Sequence, residues 1–260
     1  MRRILLIDIS DHVAGRIVEG VEERGCIVYR PQSLIEFTGM IGLTSCDGYR
    51  GWTPDAVPDI MVNFHSQSTP QIAETCEAAE MLGIRVMNTP HAVALVSDRR
   101  RLLHTLRKNR VNVPDFFWGH PSRIPEEFGP EVVLKDLHGH LVMRVRTSQI
   151  ASRDELIYCE RTVLNPLPGV IQTVYCICGY FFTVEKTDAF YAGKHRRRAI
   201  VRTVPSEIEL MRKIRDITGL DFFNFDLIGD TVIDVNAFPN FFPYPDAVAA
   251  LVDYVATIEI

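Results

Sequence analysis

An α/β chain (α+β in detail), opening on a βαβ unit and continuing into a larger, mostly antiparallel region, is the fold class this sequence predicts. Three stretches carry the prediction. Ile4 to Ile9 (ILLIDI) reads as a strand, Asp11 to Gly25 places Val13, Ile17, Val18 and Val21 at helical spacing, and Cys26 to Tyr29 is extended again, which is a βαβ opening. From Phe116 to Val184, short apolar runs bounded by turn residues read as strands of an antiparallel sheet. Between Asp221 and Asn240, two runs of alternating polarity meet near Gly229-Asp230 and form a β-hairpin.

In chain order, the turn after the first strand lacks the glycine pattern of a dinucleotide cradle, since Ser10 to Gly20 reads SDHVAGRIVEG. Gln32 to Asp59 is rich in Gly and Pro and predicts a long irregular connection that could line a site. Ile60 to Phe64 is a strand, Pro70 to Leu82 a helix capped by Thr69, and Ile84 to Met87 another strand. The first domain ends at residue 88, and the second spans 89–260. It opens on Thr89 as cap and Pro90 as first helical residue. Ala92, Val96, Leu102, Leu103 and Leu106 face inward, and the interruption at Asp98 to Arg101 suggests a restart capped by Ser97. Phe116–Trp118, Val132–Leu134, Val142–Val145, Leu156–Tyr158, Val170–Ile177 and Tyr180–Val184 are the strands; Pro205 to Thr218 and Ala247 to Ile258 are helices.

The hairpin register follows from parity. Phe223, Phe225 and Leu227 share one face, as do Ile233 and Val235, so Phe225 opposes Val235 if both strands bury the same side. That needs an odd loop, Gly229-Asp230-Thr231, with a bulge. Asp226 then opposes Asp234 on the other face, with Asn236 beside them. A solvated hairpin face is the plain reading of those residues. A divalent cation is the chemical one, since carboxylate and amide oxygens suit Mg²⁺ and would relieve the repulsion between the two acids.

Composition narrows the classes. The chain has 260 residues, 47% hydrophobic and 23% charged, with net charge -5 and no apolar run near the roughly 20 residues a bilayer span needs. A membrane role and nonspecific nucleic-acid binding are not expected. The acid at Asp8 comes too early for a signal peptide, so a cytoplasmic protein is expected. Cysteines 26, 46, 76, 159, 176 and 178 have no metal or disulfide spacing and read as reduced core residues, with Cys176 and Cys178 on one face of a strand.

Lys135 ends an apolar strand and precedes the loop Asp136-Leu137-His138-Gly139-His140, an arrangement that suits nucleotide phosphates; an exposed lysine beside a turn is the bland alternative. Taken with the hairpin, Asn88-Thr89-Pro90, Asp98-Arg99 and the LIYCE run at 156–160, the stretch from about 84 to 260 resembles the ATP-grasp superfamily. The resemblance implies an N-terminal domain followed by a two-lobed ATP-grasp domain, lobes about 89–160 and 161–260. It further implies ATP and Mg²⁺ as cofactors, with Lys135, Arg99 and Lys186 as catalytic residues. Arg99, Lys135, His138, Gly139, Cys159, Glu160 and Arg161 would hold the nucleotide, and Asp226, Asp234 and Asn236 the metal, where most family members carry Glu in place of Asp234.

DR at 98–99, HG at 138–139, VYCICG at 174–179 and IDVNAFP at 233–239 are similar to segments of inositol phosphate kinases. The basic stretch Lys194 to Arg198 reads on its own as a solvated loop. By the kinase resemblance His140, Lys194, Arg196 and Arg198 would bind a small anionic acceptor. The expectation placed first is therefore an ATP- and Mg²⁺-dependent kinase of a phosphorylated polyol. A RimK-like carboxylate-amine ligase sharing the same ATP and metal residues is the second, and a non-catalytic nucleotide-binding protein the third.

Overall fold

The computed structural model describes residues 2–7, 11–30, 58–64, 69–136, 142–167, 169–187 and 198–259. Strands β1 (Arg3–Ile7), β2 (Ile27–Tyr29), β3 (Ile60–Asn63) and β4 (Arg85–Met87) pair in parallel in the order β2-β1-β3-β4. Both faces are covered, which explains why β1 and β3 read as unbroken apolar runs. On one side Leu5, Ile7 and Met61 pack against Ile72, Cys76 and Ala79 of α2 (Pro70–Met81). On the other, Ile4, Leu6, Ile60 and Val62 meet Ile17 and Val21 of α1 (Asp11–Glu23). The same face receives Ala247, Val248, Leu251, Val252 and Val255 of α7 (Pro245–Thr257). A helix far away in sequence thus completes the first sheet. Gly20 sits where any Cβ would lie 3.2 Å from Val252, so α1 and α7 approach closely there.

Two antiparallel sheets follow. The smaller contains β5 (Phe116–Gly119), β6 (Glu131–Lys135), β7 (Val142–Arg146) and β8 (Ile157–Arg161) in the order β5-β8-β6-β7. The larger runs β11-β10-β9-β12-β13, from β9 (Val170–Ile177), β10 (Tyr180–Thr187), β11 (Arg198–Val201), β12 (Phe222–Ile228) and β13 (Thr231–Asn236). One face of it carries Val174, Cys176, Phe223, Phe225 and Val235 against α3 (Pro90–Ser97), α4 (Arg99–Lys108) and α6 (Pro205–Thr218). The helix α5 (Thr147–Ile150) buries Ile150 in the core of the smaller sheet.

Thr69 and Thr89 cap α2 and α3 as expected, each accepting a backbone N–H through its hydroxyl, with Pro at the first helical position. The restart at α4 is capped by Asp98, whose carboxylate accepts from the N–H of Arg100 and Arg101, while the Ser97 hydroxyl donates back to Val93 O. A carboxylate at the positive helix end outcompetes a serine that remains inside the preceding helix. Cys176 and Cys178 do not share a face: Cys178 lies past the end of β9 at φ 50° and packs on the opposite core. The edge strand β11 was not among the expected strands.

Asn88 joins the layers. It has φ 54° and is fully buried between β4 and α3. Its Nδ2 donates to Phe222 O at 2.8 Å and Ala237 O at 2.7 Å, while its Oδ1 accepts from the N–H of Asp221 at 2.9 Å and of Phe222 at 3.2 Å. Its own N–H donates to Asp221 Oδ2. Every hydrogen-bonding site of the amide is used, which makes a polar side chain tolerable in a dry junction.

Candidate active site

The hairpin has the expected central register: Phe225 opposes Val235, Asp226 opposes Asp234 and Asn224 opposes Asn236. The bulge lies elsewhere than in the loop. Gly229, at φ 61°, and Asp230 form a two-residue turn, so Ile228 pairs with Thr231 and Leu227 with Val232, and Ile233 is the extra residue. Val232 consequently joins Val235 in the core, and Ile233 turns to the polar side, correcting the simple alternation. The bulged Ile233 carbonyl, outside the ladder, accepts from Lys135 Nζ at 2.7 Å.

Between the smaller and larger antiparallel sheets lies a cavity of about 300 Å³. Val133 and Lys135 of β6, Val142 and Arg144 of β7, and Glu160 of β8 form one wall. Ile171, Lys186, Arg198, Asp226, Ile233 and Asp234 form the other. Apolar side chains around a few convergent charges are the usual make-up of a small-molecule site.

The charges are paired in three sets. Lys135 Nζ lies 2.7 Å from Glu160 Oε2, with the two side chains only 6% and 4% exposed. Glu160 Oε1 accepts the Tyr158 hydroxyl at 3.0 Å, and burial followed by the Glu160 charge raises the Tyr158 pKa. Arg99 Nη1 meets Asp234 Oδ1 at 2.6 Å, and its Nε donates to Asp136 O. Burial opposes the Arg99 charge, but Asp234 and Glu160 outweigh it and hold the guanidinium above its ordinary value. Lys186 Nζ bridges both oxygens of Asp226, at 2.8 and 2.7 Å, and Thr173 Oγ1 donates to Asp226 Oδ1. The repulsion between the two acids is therefore balanced by side-chain cations of the protein itself.

Of the expected site residues, Lys135, Glu160, Arg161, Lys186, Arg198, Asp226 and Asp234 line this cavity, and Arg99 reaches it through Asp234. Asn236 donates its Nδ2 to Asn224 Oδ1 at 3.0 Å, leaving its carbonyl oxygen to offer a cation. Cys159 points away, fully buried in the core of the smaller sheet, where burial and then Glu160 push its thiol up to about 12. His138, Gly139, His140, Lys194 and Arg196, and nearly all of the Gly/Pro-rich connection, lie outside the described residues. Sequence reasoning passed over Thr173, Tyr158 and Asn224. Thr173 and Asn224 interrupt apolar strands on the acidic face, which is the signal that could have marked them.

No family model matches the sequence, and no curated protein matches it. Solved structures do. The ATP-grasp ligase PsnB, complexed with a minimal precursor, aligns with TM-score 0.73 and 14% identity, covering 98% of this chain and 99% of that one. A RimK domain ATP-grasp protein from Sphaerobacter thermophilus aligns with TM-score 0.66 and 16% identity, covering 98% and 99%. The macrocyclase MdnC from Microcystis aeruginosa, bound to its precursor peptide MdnA, gives TM-score 0.68 and 14% identity, again covering 98% and 99%. PsnB has also been solved with Mg and ADP, and that structure aligns with TM-score 0.69, 15% identity and coverage of 97% and 96%. Over nearly its whole length, the chain has the ATP-grasp ligase fold.

Proposed function

We propose that this chain is an ATP- and Mg²⁺-dependent carboxylate-amine ligase. One observation carries the reading: in a fold shared end to end with ATP-grasp ligases, a buried lysine and two opposed carboxylates converge on a cavity between two antiparallel sheets. The donors fit the metal. Asp226, Asp234 and the Asn236 amide are hard oxygen ligands, and among the described residues no group of three or more His, Cys, Asp or Glu could hold a metal. Two carboxylates completed by phosphate oxygens is the set Mg²⁺ prefers.

Bound Mg²⁺ supplies charge neutralisation at the nucleotide phosphates. Lys135 can use two of its three N–H bonds on Glu160 and Ile233 O and still present the third to a phosphate oxygen. Arg99, fixed by Asp234 and Asp136 O, keeps further donors of its fork for the same task. The reaction class then needs an acceptor carboxylate oxygen to take the γ-phosphoryl group as ADP leaves. An amine nitrogen next attacks the acyl carbon and inorganic phosphate departs. Arg198 on the cavity wall offers a cation to that acceptor.

A kinase of a phosphorylated polyol would keep the same nucleotide and metal residues and differ in the acceptor. The comparisons favour the ligase over that kinase, because the solved neighbours are ligases. Incubation with ATP and Mg²⁺ against pools of amino acids and peptides, or of inositol phosphates, separates the two. The expected result is equal release of ADP and phosphate with the first pool only. ADP release without phosphate in the inositol phosphate pool would return the kinase to first place.

A further inference from the structure

Strand β9 carries no charged residue, yet two of its polar side chains reach the acidic face of the hairpin. Its register with β12 sets Thr173 opposite Asp226 and Tyr175 opposite Asn224. Thr173, 1% exposed, donates its hydroxyl to Asp226 Oδ1 at 2.7 Å. Lys186 also holds Asp226, but its long stem is partly solvent-exposed and can swing away, whereas a buried β-branched threonine cannot. Once Lys186 turns to an incoming anion, Oδ1 remains with Thr173 and Oδ2 is the oxygen offered to a cation.

The second ligand on β13 is held through an intermediary. Asn236 Nδ2 donates to Asn224 Oδ1, and the pairing of β12 with β9 sets Tyr175 directly across from Asn224. The Asn236 amide cannot flip without losing this bond and setting two carbonyl oxygens against each other, so its oxygen stays outward.

We infer that Thr173 and Asn224 are positioning residues that fix which oxygen atoms of Asp226 and Asn236 face the metal. The inference rests on the metal-dependent reading of the site. Partners of this kind, once removed, weaken metal binding by about 10- to 100-fold. The test is Mn²⁺ binding followed by electron paramagnetic resonance in the presence of a non-hydrolysable ATP analogue, together with metal-free urea unfolding. Thr173→Val and Asn224→Ala should bind Mn²⁺ about 10- to 100-fold more weakly than wild type. Thr173→Ser, which keeps the hydroxyl, should restore wild-type affinity, and the urea midpoint of Thr173→Val should stay near wild type. The KM for Mg²⁺ should rise more than kcat falls. Should Asn224→Ala fail to fold, Thr173→Val decides on the same measurement. Mn²⁺ affinity in folded Thr173→Val within about twofold of wild type, well short of the 10-fold expected, overturns the inference. A wild-type protein that binds no Mn²⁺ overturns the metal reading with it. Wild-type Mn²⁺ binding without ligation of any carboxylate and amine overturns the ligase reading alone.

Discussion

Two polar clusters stand at the two ends of β12 and are built on opposite rules. At its start, the Asn88 junction is a single neutral amide whose donors and acceptors are all matched by backbone groups, inside a fully buried seam. Near its other end, the cavity gathers Lys135, Glu160, Arg99, Asp234, Lys186 and Asp226 as three ion pairs. The neutral cluster has one arrangement and nothing to exchange. In the charged cluster, Lys135 and Arg99 hold donors in reserve beside their acids and the partly exposed Lys186 could turn to a phosphate oxygen, which is what a site needs and a joint must avoid.

The comparison breaks most visibly at the joint. Asn88→Ala leaves four buried backbone partners unsatisfied and forces a Cβ-bearing residue at positive φ without its local hydrogen bonds, so it should lose on the order of 5 kcal/mol. Chemical denaturation measures this, and Asn88→Gly, free of the φ strain, should recover only about 1 kcal/mol of it. A loss under about 1 kcal/mol for Asn88→Ala, the size of one ordinary net hydrogen bond, would erase the distinction between the clusters.

Lys135→Met comes next. A strand-end lysine whose tip reaches solvent could be removed with little change in stability, but this one is buried against Glu160, and its loss strands a buried carboxylate. The expected cost is about 3 to 4 kcal/mol, and Lys135→Met with Glu160→Gln should restore most of it. Calorimetric titration should show ATP binding weakened by about 1 to 3 kcal/mol in the double variant. Restored stability with unchanged ATP affinity would remove Lys135 from the nucleotide site.

Asp226→Asn and Asp234→Asn sharpen the contrast from the other side. Each should lower metal-dependent turnover by about 100-fold or more. Because Lys186 and Arg99 keep partial access to solvent, stability should change by less than about 1 kcal/mol. Turnover near wild type in either variant would take that carboxylate out of the metal site. The smallest effect is chemical. Burial, reinforced by Glu80 and Glu77 at Cys76 and by Glu160 at Cys159, pushes both thiols up to about 12, so little thiolate exists at pH 8. Iodoacetamide should leave both unmodified in the native protein and label both in denaturant, as read by mass spectrometry.

The cross-strand pairing of Asp226 with Asp234 was legible because side-chain alternation and core parity leave one register for Phe225 and Val235. The place of the bulge was not. Gly229 at positive φ favours a two-residue turn, and the burial of Val232 beside Val235 then forces the extra residue to Ile233. Which acid meets which cation was equally hidden, since Lys135 reaches Glu160 through β6 and β8 pairing and Arg99 reaches Asp234 across the interface of a helix and a hairpin. Strand β11 escaped notice because Arg198 to Val201 is a largely exposed edge whose side chains do not alternate between core and solvent. Asn88 was marked in the sequence only as part of the Asn88-Thr89-Pro90 landmark beside a helix cap, with no structural role. Its role depends on backbone groups more than a hundred residues away.

The seating of α7 on the first sheet has a consequence for how the molecule forms. The apolar side of β1 and β3 is finished by residues 245–257, far downstream in sequence, so these strands leave the ribosome long before their cover does. Loop closure over that distance is slow and the uncovered strands are adhesive in the meantime. Val248→Ser or Leu251→Ser should therefore harm the yield of soluble protein during synthesis more than the equilibrium stability of the purified chain would suggest.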